Sequence, residues 1–112
     1  MPEGERFKVE FRGETERDSQ VSGKVRGTDW ILVDPLGAGQ VESIQTFVSE
    51  EGDRFVVQVQ GSSQSTEGED FRIKAAGVIR ARSPRFAHLD GHLAVVEEIV
   101  HRDEVELTVY HA

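Results

Sequence analysis

A chain of 112 residues with 37% hydrophobic and 30% charged content can build one modest core, so a single domain over 1–112 is expected. Its 21 acidic residues against 13 basic ones give a net charge of −8, which repels duplex nucleic acid and anionic lipid surfaces. Cysteine is absent, which removes disulfides, thiolate metal sites and redox chemistry at sulfur.

The N-terminal stretch alternates charge from Met1 to Gly13 and lacks the apolar core of a signal peptide. No apolar run reaches the roughly 18 residues a membrane span needs, so a cytoplasmic protein is expected. Lys8, Lys24 and Lys74 are the only lysines. Acid-rich, lysine-poor composition fits a salty cytoplasm, and equally fits arginine-rich coding with no special habitat.

Phe7, Val9 and Phe11 alternate with charged residues and predict a first strand. After the polar stretch 13–19, Val21, Gly23 and Val25 predict a second, ended by Gly27-Thr28. Asp29–Val33 (DWILV) is apolar on both faces, with Trp30 and Leu32 on one and Ile31 and Val33 on the other. One face enters the core, and the second, assigned here to Ile31 and Val33, calls for a cover such as a partner in a homodimer.

The strand Val41–Ser49 is the awkward one. Val41, Ser43, Gln45 and Phe47 share one face, and Glu42, Ile44, Thr46 and Val48 the other. Either choice takes polar groups inside, where a dry core must hydrogen-bond them and a ligand cavity would use them. Glu50–Asp53 is a hairpin turn around Gly52, followed by the strand Phe55–Gln60. The low-complexity stretch 61–68 is expected to be a loop at the barrel mouth. Phe71–Ala81 places its cations Arg72, Lys74, Arg80 and Arg82 on one face. Ser83–Gly91 is an irregular crossing, and Leu93–Val100 carries one carboxylate on each face, Glu97 and Glu98. Val105–Tyr110 closes the chain.

Eight short strands with hairpin-length links and no helical periodicity predict an all-β, single-domain antiparallel β-barrel of about eight strands, with a β-sandwich as the alternative. His88, Asp90 and His92 are the one compact set of metal-capable residues, but the Asp90-Gly91 turn breaks their geometry, so no metal and no cofactor are expected. The acids Asp29, Glu42, Glu50, Glu51 and Glu97 supply candidates for a buried carboxylate pair, whose pKa values a low-dielectric cavity would push apart.

GTDWILVDPLG and QVESIQTFVSEEGDRFVVQVQG together resemble the central signature of the small β-barrel family called domain of unknown function 3237. That signature runs G-A-D-W, a hydrophobic pair, a D-G turn, an acid within L-D, then T-D-D-G and a hairpin strand ending in Gly. Asp29-Trp30 match its D-W pair, Glu42 its acid, Ser49-Glu50-Glu51-Gly52 its turn and Gly61 its closing Gly. Ser83–Leu89 is similar to its P-R-Y-A-W-L segment, with His88 in place of Trp, and Glu104–Tyr110 to its last strand. The likeness covers about residues 18–112, and the first half of the barrel is shortened. It implies a barrel shaped like the cyclase and lipocalin barrels, which bind apolar or cyclic small molecules, and implies no particular reaction.

The expected function is the binding of a small, partly apolar molecule in an interior lined by Asp29, Trp30, Glu42, Gln45, Phe86 and His88. The alternatives are a small isomerase, cyclase or hydrolase with Glu42 or Asp29 as base and His88 as acid, and a homo-oligomeric interaction protein.

Overall fold

A computed structural model describes residues 5–15, 22–36, 38–65 and 70–111. Its strands are β1 (Glu5–Glu14), β2 (Gly23–Val33), β3 (Ala38–Ser49), β4 (Arg54–Ser65), β5 (Phe71–Arg80), β6 (Leu93–Val100) and β7 (Val105–His111). A 3-10 helix, Pro84–Leu89, lies between β5 and β6. Each strand pairs antiparallel with the next, giving one seven-stranded sheet in the order β1 to β7. The sheet curls into a half-barrel with β1 and β7 as its edges. A two-layer sandwich is excluded, because every described strand belongs to this one sheet.

Seven strands replace the expected eight because the second and third predicted strands are one. β2 runs straight through Gly27-Thr28, and Val21 lies outside the described residues. Gly27 stands opposite Phe11 in register, and a Cβ there would collide with the Phe11 ring. The ring fills the volume the glycine leaves, so the residue that looks like a break is a packed strand position. The expected loop at 61–68 is corrected similarly. β4 continues through Gly61 to Ser65, and 66–69 lie outside the described residues.

The turns follow their chemistry. Gly52 and Gly91 take φ of 92° and 79°, the left-handed region that a side chain disfavours. Asp34 ends β2 by accepting the amides of Leu36 at 2.8 Å and Ala38 at 3.0 Å on Oδ1. The irregular crossing 83–91 contains the 3-10 helix, with Pro84 in its first turn, and plants Phe86 and Leu89 in the core.

The concave face holds the core: Ile31, Val41, Val57, Ile73, Ile79 and Val96 are among its most buried side chains. Phe47 stacks on Phe55 at 4.8 Å between centroids, and Phe55 meets Phe86 edge-on at 5.1 Å, so the 3-10 helix closes that end of the half-barrel. At the other end the curl brings Phe7 of β1 to 5.4 Å from Phe71 of β5.

Candidate functional site

Strand parity decides what enters the interior. On β3 the inward residues are Val41, Ser43, Gln45, Phe47 and Ser49, leaving Glu42, Ile44, Thr46 and Val48 outside. On β2 the inward set includes Asp29 and Ile31. Asp29 and Ser43 are direct cross-strand partners, so two polar side chains meet inside the sheet.

They form a directed chain. The Ser43 hydroxyl donates to Asp29 Oδ1 at 2.5 Å, and Gln45 Nε2 donates to Ser43 Oγ at 2.7 Å. Because the Ser43 proton goes to Asp29, its lone pairs accept from Gln45, which fixes the amide orientation and turns Gln45 Oε1 away from the chain. Asp29 Oδ2 and Gln45 Oε1 are left buried with no hydrogen-bond partner. Asp29 and Gln45 are both 0% exposed.

A fourth polar residue faces the same interior from β6. Glu98 is 2% exposed, and as an ionised carboxylate it would have no donor at either oxygen. Burial pushes its pKa up to about 10, and a hydrogen bond with the Asp29 carboxyl and the charge on that group add to the rise, so at neutral pH Glu98 holds a proton that it donates to Asp29. The Glu98 proton joins the two acids, which leaves Gln45 Oε1 and the second Glu98 oxygen buried without partners, where a core normally satisfies such groups.

An open cleft of about 1590 Å³ runs along the seam between β1, β7 and the 3-10 helix. Phe47, Phe55, Phe86 and Leu89 form its apolar wall, and all four histidines, His88, His92, His101 and His111, line it. Val9, the cross-strand partner of Asp29, and Leu107, the partner of Glu98, also line it. The two acids therefore sit one strand in from the two edges that bound the seam.

The expected interior residues divide. Asp29 and Gln45 lie together in the buried chain, and Phe86 is buried where the cleft is apolar. His88 is exposed at the cleft lip. Trp30, 43% exposed, and Glu42 are cross-strand partners on the outer face, which corrects their expected place inside. The reason is parity: a strand that turns Asp29 and Ile31 inward must turn Trp30 outward. Pairing of Glu42 with His88 as base and acid is thereby lost. Ile31, expected on a second apolar face, is core instead.

Ser43 and Glu98 were not singled out. The signal for Ser43 was its place on the Gln45 face. Glu97, the acid of β6 expected among the candidates, is exposed on the outer face, and Glu98 on the other face is the one inside. Asp90 is committed to structure, its Oδ1 accepting the Ala81 amide at 2.9 Å. Among the described residues, no three His, Cys, Asp or Glu side chains are grouped to hold a metal ion. Nor, among the described residues, is any helix long and apolar enough to cross a membrane. Comparison with known proteins gives no matching family model, no matching curated protein and no matching solved structure.

Proposed function

We propose that this half-barrel binds a small, partly apolar molecule, with its apolar part in the seam cleft and its polar part at Asp29, Gln45 and Glu98. The observation that carries this is the set of buried oxygens without partners. Leaving a buried polar group unsatisfied costs about 1–3 kcal/mol, and a domain of this size holds only about 5–15 kcal/mol in total. A ligand that pairs with these atoms recovers that cost. Native mass spectrometry of the protein as purified from cells tests it: a retained small-molecule mass that is lost on denaturation is expected. A spectrum of bare chain, together with no thermal shift across a broad metabolite set, would refute it.

An enzymatic role at the same place is the second reading, favoured by one observation. Glu98 keeps a proton close to the Asp29 carboxyl, the arrangement that lets one acid donate while its neighbour accepts. Turnover that survives Glu98→Gln unchanged would rule this out.

A homodimer, if it forms, uses the outer face and not Ile31. From β2 to β7, two adjoining cross-strand rows, Trp30–Glu42–Gln60–Ala76–Val95–Tyr110 and Thr28–Ile44–Gln58–Val78–Leu93, carry a single charge, Glu42, and they end on β1 at Lys8 and Glu10. Charge-poor patches with exposed Trp and Tyr suit association. Sedimentation at micromolar concentration should show a dimer that Trp30→Lys dissociates, and a wild-type monomer would end this reading.

A further inference from the structure

The binding reading leaves the ligand's chemistry open, and the polarity of the buried cluster narrows it. Every unpartnered atom of the Asp29–Ser43–Gln45 chain is an acceptor: Asp29 Oδ2 and Gln45 Oε1. The direction of the chain makes this so, because the Ser43 proton is spent on Asp29 and the amide nitrogen of Gln45 on Ser43. Glu98 adds one more free acceptor oxygen on the same interior, since its proton is spent on Asp29. No basic side chain is buried among them, since the buried polar residues are Asp29, Ser43, Gln45, Ser49, Ser63 and Glu98. A group entering here must therefore bring donors, and a bound carboxylate or phosphate would meet only acceptors.

Charge points the same way. With Glu98 protonated, the cluster carries at most one negative charge, which matches one positive charge on a ligand. The cleft outside is lined by the carboxylates of Glu10, Glu14, Asp103, Glu104 and Glu106 against the guanidinium groups of Arg12, Arg85 and Arg102. Arg85 is already bound to Glu51, Glu10 to Lys8 and Glu106 to His101, so the acids still exceed the cations, with Glu14, Asp103 and Glu104 against Arg12 and Arg102. The whole chain carries −8. Such a surface concentrates cations at the mouth and repels anions. The Phe47, Phe55 and Phe86 rings along the cleft suit the apolar body of such a cation.

Resting on the binding reading, we propose that the ligand is a small amphipathic primary amine, whose ammonium donates to Asp29, Gln45 and Glu98 while its hydrocarbon part lies in the aromatic cleft. Entry is along the seam, where Val9 and Leu107 stand beside the two acids in register and where β1 and β7 are each held by one neighbour.

The test compares three probes that share a phenethyl body by calorimetry at neutral pH: phenethylamine, phenethyl alcohol and hydrocinnamate. Phenethylamine should bind at least about tenfold more tightly than the alcohol, and hydrocinnamate should bind least, the differences a lost charged hydrogen bond would produce. Asp29→Asn should weaken phenethylamine about tenfold while leaving the alcohol unchanged. If that variant does not fold, Gln45→Leu removes one acceptor and should weaken the amine severalfold. Equal or tighter binding of the alcohol or the carboxylate overturns the amine assignment and leaves interior binding standing. Amine binding that ignores both variants overturns it too, because the ammonium then sits elsewhere. Failure of all three probes also overturns it, and the native mass spectrum of the purified chain judges the parent reading separately.

Discussion

Glu98 is the side chain whose chemistry the fold alters most. Its carboxyl would titrate near 4.5 in an unfolded chain and is pushed up to about 10 by burial and the neighbouring Asp29. A raised pKa means that the folded state holds a proton the unfolded state has released. The stability it contributes is whole below pH 4.5 and is lost as pH climbs toward 10. The slope is about 1.4 kcal/mol per pH unit, so the loss by pH 7 is on the order of 3 kcal/mol. Urea midpoints should therefore fall steadily from pH 5 to pH 9, and Glu98→Gln should flatten that profile and be the more stable protein at pH 8. A wild-type profile that is level over this window would show that Glu98 is solvated or held by a cation. His101 gives an opposite kind of residue, near the surface. Its Nε2 lies 2.8 Å from Glu106 and its Nδ1 3.1 Å from Asp70, and the Glu106 contact chiefly raises its pKa above 6.5. That contribution is present below pH 6.5 and fades as pH rises through the elevated value. An NMR titration should find His101 titrating above 6.5, and Glu106→Gln should bring it back down.

At the scale of the strand, the curl depends on places where one backbone crosses close to another. Gly61 of β4 faces the Lys74 carbonyl and the Ala75 backbone of β5, and Gly77 of β5 faces the Gln58 carbonyl of β4. A Cβ at either would strike main chain, which cannot rotate out of the way as a side chain can. Gly61→Ala and Gly77→Ala should each cost about 1–3 kcal/mol, seen as a lower urea midpoint with an unchanged slope. Gly13→Ala, which meets nothing within 4 Å, is the control and should be close to neutral. These glycines also explain what the sequence could and could not convey. Period-two alternation located the strands and the charged outer face of β5 correctly, because alternation is a property of one strand. Gly27 and Gly61 looked like ends because local propensity sees only the missing side chain. Their partners, the Phe11 ring and the β5 backbone, are distant in the chain. The same limit hid the site: Asp29 and Gln45 could be picked out as candidates, whereas the choice between Glu97 and Glu98 depends on the register of β6 against β5 and β7.

Charge acts on the molecule as a whole. Twenty-one acids on a chain of 112 residues leave −8 to be held in one small body, and apart from the buried Asp29 and Glu98 the acids have no general reason to be near cations. Among the described residues the ion pairs not involving histidine are Lys8 with Glu10 and Arg85 with Glu51, both exposed and each worth little. The compact state brings the unpaired carboxylates closer together than the unfolded chain does, so repulsion opposes folding at low ionic strength. Salt shortens the range of that repulsion from about 10 Å at 0.1 M to about 3 Å at 1 M. The melting temperature should therefore rise as potassium chloride is raised from about 0.1 M to about 1 M, with most of the gain in the lower half of that range if screening is the cause. The interior offers a built-in contrast, since a buried carboxyl is screened far less than an exposed one. The pH-dependent loss assigned to Glu98 should persist at high salt while the general repulsion disappears. A melting temperature that is flat or falling with salt would mean that the surface charges are already locally compensated. A pH profile that collapses together with the salt effect would place Glu98 outside the dry interior.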